Sequence, residues 1–78
     1  MPTVLRLLGF RFHFYSDEGD EPAHIHVTNG DGECKFWLNP VQLANNHGLD
    51  AVTIRKVESL IYENRILLRE KFHDFHGR

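Results

Sequence analysis

Apolar and polar positions alternate through the first half of the chain, and the last third carries helical spacing. In "TVLRLLGFRFHFY" the side chains of Phe10, Phe12 and Phe14 fall on one side of an extended segment, with Arg11, His13 and Tyr15 on the other. That period of two marks a half-buried strand, so the segment predicts strands over 3–8 and 10–15 about a tight turn at Gly9. The polar, acidic stretch "SDEGDEP" reads as a solvated loop closed by Pro22. Beyond it, "AHIHVT" and "ECKFWL" alternate again around "NGDG", a turn composition that predicts a second hairpin with strands over 23–28 and 33–38. "NPVQLANNHG" suggests a bulge at Asn39-Pro40, a short extended or helical piece and a stop at Gly48. Asp50 suits a helix N-cap, with Leu49 placed for a staple contact to Ile54. From there Ile54, Val57, Leu60, Ile61, Leu67, Leu68 and Phe72 recur at helical spacing and predict one helix over 51–75.

These elements predict an α+β fold: a four-stranded antiparallel sheet of two hairpins, with one long C-terminal helix packed on one face, in a single domain over 1–78. The "NGDG" turn sets the register of the second hairpin. Val27 should face Cys34, Ile25 should face Phe36 and Ala23 should face Leu38, which makes one clean apolar face. On the other face, His26 is set opposite Lys35, His24 opposite Trp37 and Thr28 opposite Glu33. A two-residue turn at Leu8-Gly9 puts Leu5 and Leu7 with the core phenylalanines. It leaves Arg6 opposite Arg11 and Val4 opposite His13.

The chain of 78 residues carries a formal net charge of -2, which excludes an evenly basic nucleic-acid binder. Yet the face opposite the predicted helix gathers Arg6, Arg11, His13, Tyr15, His24, His26, Lys35 and Trp37, with Glu33 as its one carboxylate. Placing Arg6 across from Arg11 costs up to about 1 kcal/mol, which makes sense if an anion visits. A chain this short buries only about 60% of its unfolded surface, so a partner can contribute to its stability. The single Cys34 excludes an internal disulfide, a zinc box built on paired cysteines and a CxxC redox motif. Apolar runs are short and no signal-peptide layout opens the chain, which predicts a cytoplasmic protein with no membrane contact.

Three chemistries fit the polar face, beside the plain alternative of a solvated sheet face with no ligand. The first is RNA binding or cleavage. Trp37 and Tyr15 would stack on bases, Lys35 and Arg65 would hold phosphates, and His24, His26 and His13 would move protons with Arg11 and Arg6 stabilising charge. Such an enzyme needs no metal or other cofactor. In the second, no bond is broken and the chain is an interaction module. In the third, His24 and His26, two apart on a strand, share an ion with His13 as a third imidazole. HxH alone is a weak signal for that.

The helix carries an anomaly. Asn64 falls in the middle of its apolar stripe, with Arg65 on the edge, so either the amide holds a loop or strand-edge carbonyl, or Asn64 and Arg65 reach past the sheet edge into a site. Tyr62 and Ile66 lie on the opposite side and should be exposed. A helix over 51–75 also outruns strands of six or seven residues, leaving Phe72 and Phe75 as an overhang suited to a partner or a second copy of the chain. His73, His76 and His47 read as solvated, and "DEGDE" lacks the spacing of a calcium loop.

The stretches "MPTVLR", "EPAHIHV", "GECKFWL", "NPVQLANNHGL" and "ENRILLREKFH" together resemble, over nearly the whole chain, the bacterial domain-of-unknown-function family numbered 4160. Position 23 is Ala where a second proline is expected. The resemblance implies a component of a two-gene cassette of toxin–antitoxin type, and it supplies no settled catalytic residues. The expectation is therefore a toxin-like protein acting on RNA or the ribosome and neutralised by a cognate antitoxin-like protein. The alternative is a module that holds its partner through Tyr62, Ile66, Phe72 and Phe75.

Overall fold

The computed structural model describes residues 3–77. Met1 and Pro2 of the opening "MPTVLR", and Arg78 at the end of the expected 1–78 domain, lie outside the described residues. The fold is α+β, with five strands where four were predicted and two helices in place of one. Strands β1 (Thr3–Leu7), β2 (Phe10–His13), β3 (His24–Asn29), β4 (Gly32–Leu38) and β5 (Val41–His47) are followed by helices α1 (Ala51–Glu63) and α2 (Arg65–His76). The sheet is an antiparallel meander in the order β1-β2-β3-β4-β5.

Turn chemistry fixes the registers. Leu8 and Gly9 both take positive φ, 50° and 84°, the requirement of a type I′ hairpin. This sets Arg6 opposite Arg11, Leu5 opposite Phe12 and Leu7 opposite Phe10. Val4 was expected opposite His13, but it is the extra residue of a bulge and Thr3 takes that position. The β3–β4 pairing is the expected one throughout, from His24 opposite Trp37 to Thr28 opposite Glu33. Beyond the expected elements, β2 pairs with β3 and sets His13 directly opposite His26.

The fifth strand follows a turn with a cis Asn39–Pro40 bond. The expected bulge lies farther along, at Ala44, where the pairing jumps from Phe36–Leu43 to Lys35–Asn45. One inserted residue reverses the faces on either side of it. Period-two alternation is therefore absent from "VQLANNH" although it is a strand.

The core lies between one sheet face and the two helices. Phe10, Phe12, Phe14, Ile25, Val27, Cys34, Phe36 and Leu38 of the sheet side meet Val57, Ile61, Leu68 and Phe72. Asp50 caps α1 by accepting from the Thr53 amide at 2.8 Å. Asn46 grips the backbone of Leu49 just before the helix, donating to its carbonyl at 2.8 Å and accepting from its N–H at 3.1 Å. The helix breaks at Asn64. Its backbone there is at φ −110° and ψ 15°, and its side-chain amide donates to the Leu60 carbonyl at 2.8 Å. A side chain that competes for the helix's own carbonyls is a recognised cause of a kink. The break re-aims the apolar stripe, so Leu68 and Phe72 are buried while Leu67, counted in the stripe of a straight helix, is exposed. Phe72 does not overhang: it packs on Phe14 and His24, and only Phe75 stays partly open. Arg69 Nε ties α2 to the end of β4 by donating to the Leu38 carbonyl at 2.8 Å. Among the described residues, no helix is long and apolar enough to cross a membrane.

Candidate functional site: a buried histidine–carboxylate centre

The sheet face opposite the helices is covered at the His24–His26–Lys35 end. Residues 15–22, which include a short 3-10 turn at Ser16–Glu18, cross this face as a strap. His13 and His24 are fully buried and His26 is 7% exposed. The acidic residues that read as a mobile loop supply counter-charges to the basic face. Glu18 Oε1 lies 2.8 Å from His24 Nε2 and 2.6 Å from His26 Nε2. Glu21 accepts from the Lys35 ammonium, which also lies 4.6 Å from the centroid of the half-buried Trp37 ring.

Each imidazole of the centre is also held from behind. His24 Nδ1 is 2.8 Å from the Pro22 carbonyl oxygen. His26 Nδ1 faces Glu33 Oε2 at 3.4 Å, and the Tyr15 hydroxyl steadies Glu33 by donating to it at 2.9 Å. The Tyr15 ring meets the His26 ring edge-on with centroids 4.4 Å apart. Burial raises the Tyr15 hydroxyl above its ordinary range, and the bond to Glu33 adds to that rise. At Glu18, burial pulls the carboxyl upward, but hydrogen bonds to His24 and His26 outweigh it and hold the group below the ordinary carboxylate range. One carboxylate oxygen and two imidazole nitrogens thus converge, all within 4.8 Å of one another. Such a cluster can share a proton or hold a cation.

The alternating "AHIHV" strand, the carboxylates of the strap and the edge-bearing "NPVQLANN" are one contiguous architecture, and a family model for a domain of unknown function (DUF4160) matches residues 9–73 of it. The chain belongs to the DUF4160 family. The match takes in the histidine strand, the strap and most of both helices, and leaves out the "MPTVLR" opening. No curated protein and no solved structure matches the chain.

Other candidate positions in this DUF4160 chain separate into groups. His13 stacks on His26 with centroids 5.9 Å apart, but its Nε2 is engaged by Thr28 Oγ1 at 2.7 Å. It therefore stands behind the centre, and the third donor is Glu18, which the sequence reading did not single out. Burial lowers the basicity of His13, against the pull of Glu33. Arg6 is exposed and Arg11 half-buried, and neither forms an ion pair among the described residues. Arg65 is not on this face. Its guanidinium donates to the Tyr62 carbonyl at 2.7 Å and stacks 4.0 Å from the Tyr62 ring centroid. Tyr62 and Ile66 are exposed on the outer helix surface, 56% and 57%, as their helical positions imply.

Proposed function

We propose that this DUF4160 protein is the toxin-like member of a two-protein pair, acting on RNA or the translation apparatus through the basic end of its sheet. One observation carries the reading: Arg6 and Arg11 face each other across β1 and β2 with no counter-charge among the described residues. Like charges placed directly opposite are unfavourable, and a phosphate bound between them relieves the repulsion. Tyr15 lies beyond them on the same face, and the Glu18–His24–His26 centre lies behind it under the strap. In this reading Arg6 and Arg11 hold the polyanion, and the centre supplies what chemistry there is.

The test is growth and pulse-labelled protein synthesis after induction, in a host without the partner gene, of wild type and Arg6→Ala/Arg11→Ala. The expected result is that wild type halts synthesis and the arginine variant does not. A well-folded wild type that leaves synthesis unchanged overturns the reading.

A second reading has its own support in the exposed apolar side chains Tyr62, Ile66 and Leu67 around the helix break. Under it the chain is a non-enzymatic module that holds its cassette partner by this outer surface. Tyr62→Ser/Ile66→Ser should then abolish co-purification of the partner, while Arg6→Ala/Arg11→Ala leaves it intact.

A further inference from the structure

We propose that Glu18, His24 and His26 form a binding site for one divalent transition-metal ion. The inference stands on donor geometry alone and holds whether or not the chain acts on RNA.

Hydrogen-bonding capacity restricts where the proton on His24 can be. The Pro22 carbonyl can only accept, so at 2.8 Å the proton between it and His24 belongs to Nδ1. If His24 is neutral, its Nε2 then presents a lone pair to Glu18 Oε1 at 2.8 Å. An ionised carboxylate is also an acceptor only. Two acceptors at that distance need a proton or a cation between them.

His26 comes to the same carboxylate from farther along β3. Its Nδ1 faces the Glu33 carboxylate and its Nε2 faces the same Glu18 oxygen at 2.6 Å. The two imidazoles crowd one carboxylate oxygen. Their ring centroids are 5.3 Å apart, and the residues are 0% and 7% exposed. A divalent ion between them meets all three inward atoms at once.

The outer contacts fit the same conclusion. Metal-bound histidines as a rule donate their second nitrogen to a backbone carbonyl or a carboxylate, which fixes the tautomer and aims the ring. The Pro22 carbonyl accepts from His24 Nδ1 in this way, and the Glu33 carboxylate stands 3.4 Å from His26 Nδ1. Two imidazoles and one carboxylate suit zinc and its first-row neighbours rather than magnesium or calcium. Ligands at zinc distances sit about 3.3 Å apart, so the two nitrogen–oxygen pairs, at 2.8 and 2.6 Å, need to open only slightly. Three protein ligands leave a tetrahedral ion one position short, and water or an exchangeable ligand completes the shell. Glu18 belongs to the strap, so the ion also ties residues 15–22 to β3.

The test uses the full chain, stripped with a chelator and titrated with Zn²⁺ by calorimetry and with Co²⁺ by visible absorption. The expected result is one ion per chain, Co²⁺ bands of four- or five-coordinate character, and an upward shift of Tm with Zn²⁺. Glu18→Gln, a change on the strap rather than in the core, should weaken binding at least tenfold and abolish the Tm shift. His24→Asn and His26→Asn should do the same. The control His73→Asn, in the exposed last turn of α2, should bind as wild type. The proposal is overturned if folded wild type takes up no stoichiometric ion. It is equally overturned if Glu18→Gln binds as tightly as wild type, or if His73→Asn alone removes binding.

Discussion

Lys35 and Glu21 form an ion pair across the strap, with the lysine side chain only 11% exposed and the glutamate 40%. The lysine is thus a nearly buried cation whose partner sits at the rim. Breaking such a pair from one side costs more than removing it whole, because the remaining charge is left without its partner. Glu21→Gln should lower unfolding stability by about 1–2 kcal/mol, the lower end reflecting how easily the ammonium swings into water. Glu21→Gln/Lys35→Met should recover most of that loss, because the methionine keeps the contact with Trp37. Urea unfolding of the single and double variants measures this. Equal and additive losses would mean that the pair does not hold the strap.

The Asn64 amide and the Leu60 carbonyl determine where α1 ends. The carbonyl accepts from both the Asn64 backbone N–H, at 3.1 Å, and its side chain, at 2.8 Å. Asn64→Ala removes one of these bonds but gains helix propensity, so stability should change by less than about 1 kcal/mol while helical ellipticity rises. Asn64→Asp sets an acceptor against an acceptor and should cost about 1 kcal/mol more than the alanine variant. The preference for Asp at a helix N-cap pulls the other way at α2, so the ranking discriminates. If Asp proves no worse than Ala, packing of the two helices on the sheet sets the break.

The contrast between these two sites explains what could be read from the chain. Hairpin registers were legible because "NGDG" and the Leu8-Gly9 turn admit few pairings, and a slip of one residue would have mixed the faces. Strand β5 was not legible, because the bulge at Ala44 erases alternation and three polar residues follow it. The helix break left a trace: Asn64 stood in the apolar stripe of a straight helix, where nothing else explained it. The strap was the largest miss. Glu18 is six and eight residues from the histidines it bridges, and a run of carboxylates with glycine looks like a solvated loop. The available signal was complementarity, since a basic sheet face and an acidic segment of matching length lay next to each other in the chain.

Cys34 stands opposite Val27 in the sheet, fully buried under the helices. Burial pushes its thiol up to about 12 from the ordinary 9.0, with Glu33 adding to the rise. Reaction with thiol reagents requires the thiolate. At pH 9 the native chain should therefore react on the order of a thousandfold more slowly than the same chain in denaturant, before any allowance for steric exclusion. The stability consequence has a definite sign. The unfolded thiol loses its proton from about pH 9 while the folded thiol keeps it, so the unfolded state binds fewer protons and stability falls as pH rises from 9.0 towards about 12. Below about pH 8, where the thiol keeps its proton in both states, the group contributes almost no slope. The raised Tyr15 hydroxyl acts in the same direction above its ordinary 10.0, so the cysteine's share must be taken from a variant. Cys34→Ala should be less stable at neutral pH, because it leaves a small cavity, yet lose less stability than wild type between pH 8.5 and pH 10. Urea unfolding at a series of pH values, with thiol labelling in parallel, measures both. Parallel pH profiles for wild type and Cys34→Ala, or rapid labelling of the native chain, would place the thiol in contact with solvent and refute the packing described for β4.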